Sequence, residues 1–218
     1  MNLPGTTIRE RHRIEITSDG ISVWGTTPEA VHRGLTTLRR LVTARAVDSA
    51  ASLDRLRIPD APRFARRGLS PDVARIAHDV ETVRRVIDLL SLHKLNVLHL
   101  HLTDDQGWRV EVPGWPLLTE IGGAGARGDR PGDHYSTEDV SSLVQYADER
   151  FATLTPEIDM PGHASAVFRS YPTRHTPSSS NAPSTPSWGA TLREFVTRSD
   201  VCRTGGASGS CPKMIRPQ

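Results

Sequence analysis

Apolar and polar positions change rhythm along the chain, and the changes divide it. His12–Thr17 alternates, Ser18-Asp19-Gly20 supplies turn residues and Ile21–Trp24 alternates back, which predicts a β-hairpin over 12–24. Pro28 and Glu29 open a helical pattern that places Val31, Leu35, Leu38, Leu41 and Val42 on one stripe, the face expected to be buried. Such a strand–strand–helix unit is too small to bury a core alone. Residues 47–62 show no periodic pattern and read as a connector closing on Ile58-Pro59-Asp60-Ala61-Pro62.

From Arg63 the rhythm becomes strand, helix, strand, helix, strand. Residues 66–72, RRGLSPD, are a weak strand candidate, because Pro71 cannot donate to a ladder. Asp79 is placed to cap a helix with Val83, Val86, Ile87 and Leu90 inward. Leu95–His101 is an aliphatic run that reads as a buried strand, with His99 and His101 on one face. It stops at Thr103-Asp104-Asp105-Gln106-Gly107-Trp108-Arg109. Trp115-Pro116 reads as a turn, and a glycine-rich loop runs to Gly132. Ser136 with Asp139 forms a capping pair for a helix with Val140, Leu143, Val144 and Ala147 inward. Residues 151–159, FATLTPEID, make the third strand. The alternation implies right-handed βαβ units on a parallel sheet. A closed barrel of that kind needs about eight strands and roughly 250 residues, whereas only these three strands are legible. Beyond Pro172 the sequence turns rich in Ser, Pro and Thr and reads as disordered.

Composition narrows the function classes. The net charge is +2 over 218 residues, so no basic excess suited to nucleic acid is present. No apolar run is long enough to span a bilayer. No signal-peptide core opens the chain, so it reads as cytoplasmic or as lacking its true start. Cys202 and Cys211 allow one disulfide, in the tail.

Three polar clusters lie at or near strand carboxyl ends, where parallel α/β folds bind ligands. They are Arg67 with Asp72 and Arg75, then Asp104 to Arg109, then Glu157, Asp159 and His163. Neighbouring carboxylates separate each other's pKa values, and a histidine bonded to one can orient another. Tryptophan beside carboxylates suits sugars, whose ring faces stack while their hydroxyls meet charged groups. Plainer readings stand beside these. The two strand histidines fill a barrel interior, the Asp104-Asp105 pair caps a turn, Arg75 pairs with Asp72, and His163 is as readily structural as functional.

Taken together the clusters resemble the family-20 glycoside hydrolases, the β-N-acetylhexosaminidases. The motifs are RGLSPDVAR (67–75), KLNVLHLHLTDDQGWRVEV (94–112) with WPLLTEIG (115–122), and YADERFATLTPEIDMPGHASA (146–166). The resemblance covers residues 7–172. It implies a (β/α)8 TIM barrel preceded by a small α+β domain. The implied reaction is hydrolysis of terminal non-reducing N-acetylhexosamine from β-linked glycosides, including chitooligosaccharides and glycans. The substrate's own acetamido oxygen acts as nucleophile, with retention of configuration. No metal or organic cofactor, nucleic acid or membrane is implied. By position, Arg67 matches the arginine that grips the sugar hydroxyls. Asp104 of the Asp104-Asp105 pair matches the aspartate that supports the catalytic acid, and His163 the histidine linking the two. Glu157 and Asp159 match supporting carboxylates at the barrel mouth.

The departures are specific. Ser70-Pro71 and Ile76-Ala77 stand where the family has apolar and His-aromatic pairs, and no Gly-Gly-Asp-Glu stretch carries the catalytic Asp-Glu pair. The expectation is a chain truncated or frameshifted within its barrel, holding about the first three β/α units and inactive alone. Residues 1–46 would be a remnant of the α+β domain, 47–62 a connector, 63–171 the start of the barrel and 172–218 a disordered or out-of-family tail. Two rivals remain, a non-catalytic sugar-binding remnant and a metal-dependent hydrolase on the same barrel.

Overall fold

The computed structural model describes residues 8–128, 130–159 and 162–172. Sequence readings on residues 173–218, including the tail and the Cys202/Cys211 pair, lie outside the described residues. The chain divides into two compact units, Met1–Arg67 with Ser91–Asn96, and Gly68–Leu90 with Val97–Gln218.

In the first unit the hairpin forms as expected, with β1 (His12–Ile16) and β2 (Ile21–Gly25) paired antiparallel. On β1, His12, Ile14 and Ile16 are buried in strict alternation. α1 (Pro28–Arg45) begins behind Thr27, whose side chain accepts the Ala30 N–H. It does not bury the aliphatic stripe. Ala30, Arg33, Gly34 and Thr36 face inward, whereas Leu35 is 51% exposed and Val42 38%. Two local facts decide the rotation of the helix. A Cβ on Gly34 would lie 2.5 Å from Val23 Cγ1, so only glycine allows this close approach to the hairpin. The second fact is ionic. Buried Arg33 lies 3.1 Å from Glu10 and 3.2 Å from Glu29, pairs that hold on that face only.

The stretch read as a connector contains strands. β3 (Ala46–Val47) and β4 (Ala50–Ala51) form a short ribbon. β5 (Leu56–Asp60) pairs antiparallel with β1 and completes a sheet of order β2-β1-β5. Pro59 obscured β5 in the sequence, and it is tolerated because β5 is an edge strand of that sheet.

In the second unit β6 (Gly68–Leu69), β7 (Val97–His101) and β8 (Thr153–Glu157) make a parallel sheet in that order. β6 is short, as Pro71 predicts, and contact with β7 resumes at the Asp72–His101 bridge. α2 (Val80–Leu92) separates β6 from β7, and Asp79 caps it by accepting the Thr82 N–H at 2.7 Å. α3 (Leu117–Glu120) is a single turn. α4 (Thr137–Asp148) carries the Ser136/Asp139 capping box and buries Val140, Leu143, Val144 and Ala147. α5 (Ser165–Ser170), which sequence patterning did not mark, follows β8.

The core of this unit includes Val83, Ile87 and Leu90 of α2, Leu98 and Leu100 of β7, and Leu154 of β8. β7 is therefore buried on one face only. Val97, His99 and His101 line the other face and are half-buried.

Candidate active site

The site is built on the turn that ends β7. After the last aliphatic residue, Leu102, the Asp104 N–H bonds Gly107 O at 3.0 Å and the Gly107 N–H returns to Asp104 O at 3.3 Å. Gly107 is required by contact, since a Cβ there would fall 2.2 Å from the Arg109 guanidinium and 2.9 Å from Ala74 O. Thr103 Oγ1 accepts the Asp159 N–H at 2.9 Å, tying this turn to the end of β8.

Asp104 is the buried centre, its side chain only 2% exposed. Its Oδ1 accepts the Asp105 N–H at 2.6 Å and lies 3.3 Å from His163 Nδ1. Its Oδ2 pairs with the Arg75 guanidinium and lies 3.0 Å from His101 Nε2. A carboxylate this buried requires such partners. Arg75 also donates to Asp72 Oδ2 at 2.6 Å, so one guanidinium bridges two carboxylates, and its side chain stays 37% exposed. Burial raises the Asp72 pKa. The Arg75 backbone N–H and guanidinium outweigh it and hold that carboxyl below the usual carboxylate value. Behind His101, Glu157 Oε2 lies 3.4 Å from Nδ1 of that ring and 2.7 Å from His99 Nε2.

Asp105 points elsewhere. Its Oδ1 accepts the Ser165 hydroxyl at 2.7 Å and the Ser165 N–H at 3.1 Å, at the start of α5. Those bonds hold the Asp105 carboxyl below its ordinary value. His163, half-exposed, reaches Asp104 from a left-handed backbone with φ 52°.

The structure thus brings Asp104, Asp105 and His163 together, with Glu157 linked to them through His101. Asp159 joins through its main-chain N–H. Arg67, read as the sugar-gripping arginine, is engaged within the first unit. It pairs with Glu10 and donates to Phe64 O at 2.7 Å and Lys94 O at 2.8 Å. Two further expectations are corrected. Trp108 is 1% exposed and its indole N–H bonds Val110 O, so it offers no stacking face. Arg109 is also 1% exposed. It donates to the carbonyls of Val73, Ala74, Gly123, Gly125 and Asp133, bracing the glycine-rich loop.

Sequence reasoning undervalued Arg75 and His101. The available signals were short spacings, Arg75 three residues after Asp72 and His101 three before Asp104.

Asp104, Asp105 and His163 offer ligand atoms within 4.8 Å of one another, a spacing that suits a metal ion. The donor set argues against one. Arg75 places a cation on Asp104 Oδ2, and Asp105 Oδ1 is bound to Ser165. The same arrangement suits a charged support for an acid, with a buried carboxylate held by a cation and presented to a half-exposed imidazole.

Comparison with known proteins identifies the family. Residues 64–202 match the catalytic domain of glycosyl hydrolase family 20, which implies a TIM-barrel catalytic domain. The chain is 39% identical over 160 residues to a β-hexosaminidase of Porphyromonas gingivalis, covering 70% of this chain and 21% of that protein. It is 38% identical over 162 residues to a β-N-acetylhexosaminidase of Cellulomonas fimi, covering 74% and 32%. The chain therefore spans about a fifth to a third of the length of these curated relatives. Among solved structures it resembles the Streptomyces plicatus N-acetyl-β-hexosaminidase in complex with Thio-NAglucal, with TM-score 0.73 and 34% identity over 81% of this chain and 36% of that one. With well over half of this chain matched to that family's catalytic domain, the chain belongs to glycoside hydrolase family 20.

Proposed function

We propose that this chain carries the supporting side of a β-N-acetylhexosaminidase active site. The whole enzyme would hydrolyse terminal non-reducing N-acetylhexosamine from β-linked glycosides, with the substrate acetamido group as nucleophile. The observation that carries this reading is the cradle around Asp104, where Arg75, His101, His163 and the Asp105 N–H converge on one buried carboxylate. In this reading β6, β7 and β8 are the first three strands of the barrel.

The roles divide as follows. Asp104 and His163 hold and polarise the general acid. Glu157 steadies His101 behind Asp104, and Asp159 anchors the end of β8 to Thr103. Arg75, not Arg67, meets the sugar hydroxyls. It sits on the aspartate cluster and is partly exposed, whereas the Arg67 guanidinium is engaged by Glu10 and main-chain carbonyls.

No Gly-Gly-Asp-Glu stretch occurs in these 218 residues, so by themselves they supply no acid to support. The purified chain is expected to release no chromophore from a chromogenic N-acetyl-β-glucosaminide above the buffer rate. Robust hydrolysis by the chain alone, lost in an Asp104→Asn control, would overturn the assignment of a support without its acid.

A further inference from the structure

α5 starts without a cap of its own. The residue before it is Ala164, which offers no side-chain acceptor, yet the first N–H groups of a helix need one. Asp105 fills that need from the β7 turn. One carboxylate oxygen takes both the hydroxyl and the N–H of Ser165, and the Asp105 carbonyl takes a 2.9 Å bond from Arg169 one turn later. At the other end of α5, Tyr171 packs edge-on against Trp115 with ring centres 5.0 Å apart. The short helix is therefore held at both ends.

His163 stands two residues before Ser165 and keeps a left-handed backbone, which a non-glycine residue holds only when its surroundings enforce it. Its Nδ1 is nearer to Asp104, at 3.3 Å, than to Asp105, at 3.8 Å. The direct contact with Asp105 is the weaker one. We infer that Asp105 is a positioning residue: by capping α5 it fixes the 162–164 turn so that His163 meets Asp104. The two adjacent aspartates then have separate tasks, Asp104 as the charge that faces the chemistry and Asp105 as a hydrogen-bond acceptor whose charge is dispensable. This inference rests on the reading of Asp104 and His163 as a support for the acid.

The test uses NMR on the full chain and needs no turnover. The His163 ring correlations are assigned by their loss in His163→Gln. The amides of Phe168 and Tyr171, which bond Ala164 O and Val167 O, report the integrity of α5. In Asp105→Ala these amides should exchange roughly five- to tenfold faster. The His163 ring signals should move, while the β7 amides keep their rates. Asp105→Asn, which keeps the acceptor and loses the charge, should restore both. If Asp105→Ala fails to fold, Ser165→Ala removes only the hydroxyl donor and should give the same changes in smaller measure. An Asn variant that moves His163 as far as the Ala variant would overturn the inference, as would a folded Ala or Ser165→Ala variant with His163 unmoved. Neither outcome would bear on the proposed function, which is tested by hydrolysis.

Discussion

A guanidinium can brace a loop or face a ligand, and in the proposed function Arg109 and Arg75 divide along that line. Arg109 is buried among main-chain carbonyls, and its planar fork is what allows one side chain to reach several of them. Arg109→Lys keeps the charge but leaves buried carbonyls unpaired. It should lower stability by ~2–3 kcal/mol in urea denaturation; an unchanged midpoint would contradict the bracing role. Asp105 gives a pH prediction. Its folded pKa is depressed, so the stability it contributes is present above the ordinary aspartate value and is lost as pH falls through the lowered one. α5 should therefore stay docked at neutral pH; below about pH 4 the protonated carboxyl keeps a weaker carbonyl acceptor, so exchange of the Phe168 and Tyr171 amides should rise, but by less than in Asp105→Ala. Asp105→Asn should abolish that acid sensitivity at these two amides. At this scale the family resemblance singled out Asp104 and His163, and the structure brings them within 3.3 Å of each other. The sequence did not separate Arg67 from Arg75, because two arginines eight positions apart look alike until the partners of each guanidinium are known.

Among the elements, α1 shows how far periodicity reaches. Its existence and its Pro28 start were legible, but its buried face was not. Periodicity assumes that the most apolar face packs inward, whereas here the close approach at Gly34 and the ion pairs of Arg33 set the rotation. The double substitution Leu35→Gln with Val42→Gln should change stability by no more than about 0.5 kcal/mol per site. Gly34→Ala should cost ~1–3 kcal/mol through the clash with Val23. The reverse ranking in thermal melts would restore the aliphatic stripe as the buried face. β5 was hidden by Pro59, and α5 because six residues are too few to show a helical period. The caps on α2 and α4 were legible because Asp79 and Ser136/Asp139 act on N–H groups only a few residues away.

For the whole molecule, the parallel β-α-β order was legible from Arg63 onward because strand and helix periods differ sharply. The resemblance already linked His163 to Asp104, but the approach of Arg75 and His101 to the same carboxylate was not legible, since Arg75 follows a different strand and His101 read as barrel filling. As proposed above, this convergence is a hexosaminidase support without its acid. Hydrolysis of a chromogenic N-acetyl-β-glucosaminide tests it most directly, with residues 64–172 replacing the matching segment of the Streptomyces plicatus enzyme. The chimera should hydrolyse the substrate, and Asp104→Asn within it should lower kcat by roughly 10²-fold or more. A folded chimera without activity, or one whose kcat is indifferent to Asp104→Asn, would contradict the claim.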